Sequence, residues 1–442
     1  MEKRKKKTPK WSKLDNTAIL FPVIATSQMS SVYRESVLLT EDIDPELLKK
    51  AQDTVLDQFV TFRMRLKMGF FWYYFEENDR KYPEVQEESD FPGAYINKSR
   101  NGHYLFRVTY FKKRINLEVF HALTDGYGGL VFLKELVYEY LRLKYPDEYK
   151  DEKHKLSPGV FMDQEDSYVK NYRKAASLDR AYTPKKAVII KGERVPAGEL
   201  NVIHGYLKVP ELKQLCKELD VTINQLLCGV YVYAIYKEYL KGMASKLPIC
   251  CCIPVDLRTR YESTTMKNFF VVTQARFTPE DKEYTPEEVI KLVAEAHKKE
   301  VDPENLDAIL SYNVSNEQNI FLRPIPIFIK NIAIFSVYYA TATTATTTMT
   351  NVGKVEVREP YRKYIQHFYG MLSMSKGQNI KGAICTYNDT TIVTFSSCLT
   401  DVNIQKRFFQ YLAGKGLNVM VENNEAEITQ EKGETDGTLS EV

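Results

Sequence analysis

The chain has 442 residues, 44% hydrophobic and 12% aromatic, which is enough apolar material for two domains of about 200 residues each. The formal net charge of +3 is close to balance and argues against a nucleic-acid partner. The charge is uneven only at the ends, where residues 1–10 are basic and residues 422–442 are acidic. Both ends are predicted to be disordered.

The cellular setting is predicted from three further features. The basic start lacks the apolar segment of a signal peptide, because residues 8–13 read Thr-Pro-Lys-Trp-Ser-Lys. No run of about 18 apolar residues occurs, so no transmembrane segment is expected. The seven cysteines are odd in number and include the adjacent trio 250–252, a usage typical of a reducing compartment. We therefore predict a cytoplasmic protein with buried, inert thiols.

The first half begins with an alternating strand over residues 32–43. A helix follows, with Asp44 as its N-cap and Pro45 at its first position. Residues 105–120 form two alternating runs joined by a basic turn, which predicts a β-hairpin. Residues 130–141 carry apolar side chains at helical spacing and predict a long helix.

The second half is separated from the first by a polar, Lys-rich and weakly periodic segment at 145–200, which we interpret as the crossover between two domains. The elements predicted after it are a strand at 202–207, a helix from Glu211, an apolar helix at 223–240 with Thr222 as N-cap, a buried strand at 249–257, an amphipathic helix at 287–300 and a Thr/Ala-rich strand at 341–350.

Between the hairpin and the long helix lie residues 121–126, His-Ala-Leu-Thr-Asp-Gly. The motif places an imidazole and a carboxylate four residues apart, and an imidazole is the side chain best suited to accept a proton near neutral pH. Asp125 could orient the ring, form an ion pair or cap the next helix, and Gly126 would admit a backbone conformation that other residues resist. A partly exposed histidine in a polar turn is the structural alternative. No cluster of ligands predicts a metal site.

The His-x3-Asp-Gly motif after a strand resembles the signature of the chloramphenicol acetyltransferase-like superfamily. Further stretches resemble its alcohol acetyltransferase branch: 13–16 with Phe21-Pro22, 69–74, 253–258 (Ile-Pro-Val-Asp-Leu-Arg) and 350–353 (Thr-Asn-Val-Gly). Together they extend over most of residues 11–420. Two positions depart from the pattern, since Phe120 replaces a histidine common in the superfamily and Lys267 replaces a glycine, which leaves the role of Asn268 open.

The resemblance implies an α/β fold of two chloramphenicol acetyltransferase-like lobes, each a mixed β-sheet with flanking helices, with an active-site tunnel at their interface. The N-terminal lobe would span 11–185, including the start of the crossover, and the C-terminal lobe 200–421.

The resemblance also assigns the site. His121 would lie midway along the tunnel as the general base. Asp125 would turn away from the ring and pair with Arg258 of the second lobe. Asn351 would be a candidate contact to the oxyanion or the substrate.

The activity implied is direct transfer of an acetyl or other short acyl group from acetyl-CoA or another acyl-CoA to a small hydroxyl or amine acceptor. No tightly bound cofactor, no metal and no covalent acyl-enzyme are expected, and the protein would be a monomer. Two alternatives remain. One is an amide-forming or carrier-protein-dependent enzyme of the condensation-domain type. The other is a non-catalytic binding protein with the same fold.

Overall fold

A computed structural model describes residues 11–150, 166–172, 185–318 and 323–424 of the chain. The described strands are β1 Trp11–Lys13, β2 Val32–Leu39, β3 Met64–Met68, β4 Tyr73–Glu77, β5 Gln86–Glu87, β6 Phe106–Phe111, β7 Arg114–Phe120, β8 Asn201–Lys208, β9 Ile249–Asp256, β10 Phe270–Phe277, β11 Thr347–Val355, β12 Ile365–Leu372, β13 Ile380–Tyr387, β14 Thr390–Ser397 and β15 Met420–Asn423. The helices are α1 Phe21–Ile24, α2 Pro45–Leu56, α3 Gly126–Lys144, α4 Pro146–Tyr149, α5 Ser167–Lys170, α6 Val209–Leu219, α7 Ile223–Glu238, α8 Arg258–Tyr261, α9 Pro286–Glu300, α10 Pro303–Gln318, α11 Ile327–Thr341 and α12 Asn403–Gly414.

The first lobe is built on a five-stranded mixed sheet with the order β12-β2-β7-β6-β5. The predicted hairpin is confirmed as β6 and β7, which pair antiparallel with Phe106 opposite Val119. The predicted helix after the motif is confirmed and begins earlier, so that α3 runs from Gly126. Asp44 caps α2 as predicted, because its carboxylate accepts from the backbone N–H groups of Glu46 and Leu47.

The second lobe is built on a seven-stranded mixed sheet with the order β10-β9-β11-β13-β14-β8-β15. The apolar helix α7 lies in its core, with Leu226 through Tyr236 buried. Its start follows from the sequence, because Thr222 and Gln225 form a reciprocal capping box. The predicted amphipathic helix is confirmed as α9.

One strand of the second half crosses to the first lobe. Strand β12 falls inside the predicted lobe of residues 200–421, but it pairs antiparallel with β2, with Tyr369 opposite Ser36. The first lobe therefore closes its sheet edge with a segment from the other half of the chain. This exchange ties the two lobes together and corrects the simple division of the chain into consecutive halves.

Two predicted boundaries also need correction. The Thr/Ala-rich segment 341–350 was expected to be one strand, but α11 continues to Thr341 and β11 begins only at Thr347. The acidic tail was expected to be disordered from Glu422, yet β15 carries Glu422 and pairs with β8. Pairing with an open sheet edge orders these few polar residues, which a composition argument does not detect. The basic end 1–10 and residues 425–442 lie outside the described residues.

A small third sheet, β1-β4-β3, lies beside helix α11. The stretch 69–74, which resembles the alcohol acetyltransferase branch, begins with a turn in which Gly69 N–H donates to Trp72 O, and its last two residues start β4 at Tyr73. Helix α11 is short and apolar, and its Phe328 and Ile332 are exposed. Among the described helices no single one is long and apolar enough to cross a membrane, although the bent pair α6 and α7 passes the same test of length and composition.

Candidate active site

His121 follows directly on β7, where the strand leaves the sheet. Its backbone N–H donates to Ser31 O at 2.9 Å, which fixes the start of the motif against the residue preceding β2. The imidazole stacks on Phe21, with ring centroids 4.6 Å apart and an interplanar angle of 13°, and meets the edge of Tyr33 at 5.1 Å. Phe270 of the second lobe lies 5.7 Å away. The ring is therefore held between aromatic side chains of both lobes.

The tautomer of His121 is set by Asn268. His121 Nδ1 lies 3.0 Å from Asn268 Oδ1, while Asn268 Nδ2 donates to Asp15 Oδ2 at 3.0 Å. Because the amide nitrogen is engaged by the carboxylate, the amide oxygen faces the imidazole and must accept from Nδ1–H. The proton therefore lies on Nδ1, and the lone pair of Nε2 is left free to accept another proton.

Asp15 holds the amide of Asn268 in place. Its Oδ1 accepts from Ala18 N–H at 2.8 Å and its Oδ2 accepts from both Asn268 nitrogens. Burial raises the pKa of Asp15 to about 7, against the lowering effects of its hydrogen bonds to Asn268 and Ala18. A carboxyl group thus lies two hydrogen bonds from the imidazole, linked to it through a neutral amide.

This Asp15–Asn268–His121 chain was not predicted from the sequence. Asp15 was noted only as part of the opening segment 13–16, and Asn268 was left without a role. The sequence carries no local signal for this contact, because 253 residues separate Asp15 from Asn268, which lies between α8 and β10.

The protonation state of His121 follows from its surroundings. Burial lowers its pKa below the usual value of about 6.5, whereas the charge of Asp125 and the hydrogen bond to Asn268 oppose this shift. The ring is therefore neutral at pH 7, as a general base must be.

Asp125 points away from the ring, toward the second lobe. Its Oδ1 and Oδ2 lie 2.9 and 2.8 Å from Arg258 Nη2, and Oδ2 also accepts from Phe269 N–H at 2.9 Å. The carboxylate is in addition the N-cap of α3, accepting from Gly128 N–H at 3.3 Å. The capping and ion-pair interpretations of Asp125 therefore both describe its position, whereas the side chain makes no hydrogen bond to His121 in the described structure.

Arg258 begins α8, directly after β9 and Leu257, and is 5% exposed. Besides Asp125 it binds Asp256 Oδ1 through Nη1 at 2.9 Å and donates to the carbonyls of Thr265 and Lys267. Its guanidinium also lies 4.3 Å from the ring centre of Tyr127. Each of the three guanidinium nitrogens therefore has a hydrogen-bond partner, which offsets the cost of burying the charge.

The glycines at the start of α3 are explained by the lack of room for a side chain, and not by an unusual backbone conformation. Gly126 was expected to need a conformation closed to other residues, but it is the first helical residue of α3 and has no positive φ. The tight position is Gly128, where a Cβ would lie 2.6 Å from Met266 O and 1.9 Å from Thr124 Oγ1. Close contact between the α3 start and the 265–268 segment of the second lobe explains this requirement.

The structure brings His121, Asp125, Gly126 and Arg258 together, whereas the side chain of Asn351 makes a local hydrogen bond. Asn351 is exposed at a bulge of β11, and its side-chain oxygen accepts from Gly353 N–H at 2.8 Å. That hydrogen bond shapes the local turn. The oxyanion or substrate role of Asn351 stays a prediction.

A cavity of about 810 Å³ lies between the lobes. One wall is formed by residues 27–30 and 92–94 of the first lobe, the other by residues 191–200 and 373–377 of the second. Ser30 of this wall directly precedes Ser31, whose carbonyl binds the backbone of His121. The cavity thus approaches the motif from one side, and a continuous tunnel to His121 stays a prediction.

All seven cysteines are free thiols, and six of them are buried. Within the described ranges, no group of three or more His, Cys, Asp or Glu side chains is arranged to hold a metal ion.

No protein-family model and no curated protein sequence matches the chain. Its fold, however, is similar to those of solved structures. TRI3 trichothecene 15-O-acetyltransferase from Fusarium sporotrichioides matches with a TM-score of 0.60 at 10% identity, covering 91% of this chain and 94% of its own. The chain therefore shares the two-lobed fold of this acetyltransferase.

Two further structures with this fold were solved with bound thioester ligands or coenzyme A. TRI101 from F. graminearum, complexed with coenzyme A and T-2 mycotoxin, has a TM-score of 0.60 at 11% identity, covering 90% of this chain and 96% of its own. The starter condensation domain of rhizomide synthetase RzmA, in complex with C8-CoA and Leu-SNAC, has a TM-score of 0.58 at 10% identity, covering 91% and 93%. At these identities the similarity concerns the fold alone.

Proposed function

We propose that the protein is an acyltransferase that moves an acetyl or other short acyl group from a coenzyme A thioester to the hydroxyl of a small acceptor, with His121 as general base. The observation that carries this proposal is the orientation of the imidazole. Asn268 holds the proton on Nδ1, and burial keeps the ring neutral, so Nε2 is a free base at neutral pH.

The chemistry follows from that geometry. Nε2 of His121 removes the acceptor hydroxyl proton while the oxygen attacks the thioester carbonyl carbon, giving a tetrahedral intermediate. The carbon–sulfur bond then breaks, and the imidazolium returns the proton to the leaving thiolate. Base catalysis of this kind contributes roughly 10²–10⁴-fold, and the alignment of two substrates between the lobes adds to it. The cycle needs no covalent acyl-enzyme, which fits the buried state of the cysteines.

The Asp125–Arg258 ion pair has a structural part in this proposal. It joins the N-cap of α3 in the first lobe, four residues after His121, to the first residue of α8 in the second. The pair keeps the two walls of the site in register, and neither side chain takes part in proton transfer.

Coenzyme A is preferred as donor because two proteins of this fold were solved with coenzyme A or an acyl-CoA bound. The condensation domain among them keeps a carrier-bound or amide-forming reaction as the second candidate. The alcohol acetyltransferase branch, the monomeric state and a cytoplasmic location remain parts of this proposal. Seven free thiols support a reducing compartment.

A thiol-release assay tests the proposal directly. Purified protein is incubated with acetyl-CoA or longer acyl-CoA donors and with matched alcohols and amines of the same carbon skeleton. Release of free thiol that depends on an alcohol supports O-acyl transfer, and release that depends only on amines supports the amide-forming alternative. Transfer from an acyl-pantetheinyl carrier protein but not from coenzyme A would assign the carrier-dependent reaction. Absence of transfer from every donor would leave the binding-protein alternative.

A further inference from the structure

Five polar side chains on neighbouring strands form a row across one face of the second-lobe sheet, in the order Gln274, Cys252, Thr348, Lys381 and Ser396. Paired registers place Gln274 beside Cys252, Cys252 beside Thr348, and Lys381 beside Ser396. The pairing of Met349 with Gly382 puts Thr348 next to Lys381 and completes the row.

This row faces the first lobe. Side chains alternate across a strand, and the neighbours Cys251, Met349 and Phe395 all point into the second-lobe core. Cys385, on the same face of β13 as Lys381, packs in the first-lobe core. The row therefore lies on the side of the sheet that meets the other lobe.

Lys381 is the cation of this row, and it is only 7% exposed. Its Nζ donates to Ser375 Oγ at 2.6 Å, and it forms no ion pair with any carboxylate in the described part of the chain. Burial lowers its pKa to about 8, so the ammonium remains mostly charged at neutral pH. Buried charges in proteins are normally paired, and this one lacks an acidic partner of that kind.

The position of Lys381 connects it to both the cavity and the base. Ser375, which accepts the hydrogen bond from Lys381, lines the cavity of about 810 Å³ between the lobes. Asn379, two residues before Lys381 in the chain, lines it as well. The charge of Lys381 also adds to the effect of burial in lowering the pKa of His121, so the two groups lie within electrostatic reach of each other. An anion bound at Lys381 would therefore lie within the same electrostatic reach of His121.

We propose that Lys381 is a specificity residue that binds a carboxylate carried by one of the two substrates. The carboxylate would belong either to the far end of a dicarboxylic acyl group or to a hydroxy-acid acceptor, and it would supply the ion-pair partner that Lys381 lacks among the described residues. Thr348 and Ser396 would supply the neutral polar surface around it. This inference rests on the proposed function, which supplies the two classes of substrate.

The test compares matched substrates that differ only in a carboxylate. One arm pairs malonyl-, succinyl- and glutaryl-CoA with propionyl-, butyryl- and valeryl-CoA, using a neutral alcohol. The other arm uses acetyl-CoA and pairs 4-hydroxybutyrate with 1-butanol. The wild-type protein should favour the carboxylate member of one arm at least tenfold in kcat/KM. Lys381→Met should lose that preference by about 10- to 100-fold and change the neutral reactions less than about threefold.

Two variants and one measurement keep the result interpretable. Lys381→Arg retains the charge and should keep much of the preference. Lys376→Met removes an exposed cation from the wall of the same cavity and should leave the preference for the carboxylate substrate unchanged. Dissociation constants for succinyl-CoA and butyryl-CoA, and for 4-hydroxybutyrate and 1-butanol, are measured without the second substrate. A Lys381-dependent preference in binding without any acyl transfer would uphold the anion site and reject the proposed reaction.

Three outcomes would overturn the inference. The first is a wild-type protein with no preference for the carboxylate in either arm, in rate or in binding. The second is an equal loss on charged and neutral substrates in a folded Lys381→Met, which would mean that the cation serves the reacting centre and not selectivity. The third is an unchanged preference in that variant, which would leave Lys381 as a partner of the Cys252 thiol.

Discussion

Arg258 Nη2 lies 2.8 Å from Asp125 Oδ2, and this contact joins the two lobes of the protein next to His121. Both side chains are almost fully buried, with 5% and 8% of their side-chain surfaces exposed. The partners are the N-cap of α3 and the first residue of α8, 133 residues apart in the chain. A buried pair of this kind gives little net stability, but removing one partner leaves an unpaired buried charge.

A double-mutant cycle on stability should therefore show strong coupling between Asp125 and Arg258. Asp125→Asn and Arg258→Met should each lower the free energy of unfolding, and the double variant should lose less than the sum of the two. We expect a coupling of at least about 1 kcal/mol. The exposed pair Arg260–Asp307 is a matched control, with an expected coupling below about 1 kcal/mol. A coupling indistinguishable from zero would show that the contact does not hold the lobes together.

His121→Ala should fold normally and abolish acyl transfer, because the base acts on the substrate and the ring contributes little to the core. The melting temperature and the thiol-release rate are measured on the same preparation. His103→Ala, which removes an imidazole from the turn before β6, should retain wild-type activity. Turnover above about a tenth of wild type in His121→Ala would place the base elsewhere.

The pH dependence of kcat/KM should show an acid limb with an apparent pKa below 6.5. The imidazole must be neutral to accept a proton, and burial lowers its pKa, so activity falls only when the pH drops through that lowered value. Asp15 is a second titrating group, with a pKa raised to about 7 by burial. The limb should persist in Asp15→Asn. Its disappearance in that variant would assign the limb to Asp15.

Asn268→Ala should lower kcat at least about tenfold with a smaller change in KM, because the imidazole loses the acceptor that keeps its proton on Nδ1. The acid limb of the pH profile should shift at the same time, which a purely structural defect would not produce. Asn171→Ala serves as the control, because among the described residues the amide of Asn171 binds only the carbonyl oxygen of Ser167. Unchanged kcat in a folded Asn268→Ala would reject the tautomer argument.

Glu35 predicts a pH-dependent stability. Both carboxyl oxygens are buried without a hydrogen-bond partner among the described residues, and burial, followed by the charge of Asp125, raises its pKa well above 4.5. The folded state therefore holds the proton more tightly than the unfolded state, and stability declines as the pH rises above about 4.5. Glu35→Gln cannot ionise, so its melting temperature should rise relative to wild type between pH 5 and pH 8.

Exposed Glu87→Gln is the control for Glu35→Gln and should track the wild type across this range. Each unit by which the pKa is raised corresponds to about 1.4 kcal/mol of the decline. A constant difference in melting temperature between Glu35→Gln and wild type at all pH values would show that Glu35 does not titrate on unfolding.

The sequence by itself determined the local elements around the site. Alternation predicted the hairpin of β6 and β7, helical spacing predicted α3 and α9, and Asp44 and Thr222 predicted where two helices begin. These signals are local, because they depend on side-chain spacing and on hydrogen bonds across three or four residues. The short motif at 121–126, through its resemblance to a known superfamily, led to Arg258 as well.

Only the tertiary structure decided what surrounds the imidazole. The hydrogen bonds from Asp15 through Asn268 to His121 and the transfer of β12 into the first-lobe sheet join residues that are distant in the chain. The position of Lys381, which has no carboxylate partner among the described residues, depends on strand register. A motif match singles out Asn351, and in the structure its side-chain oxygen accepts from Gly353 N–H in a local turn. Spacing along a chain fixes which residues share a strand or helix face, whereas the contacts between faces are set by how the sheets pack.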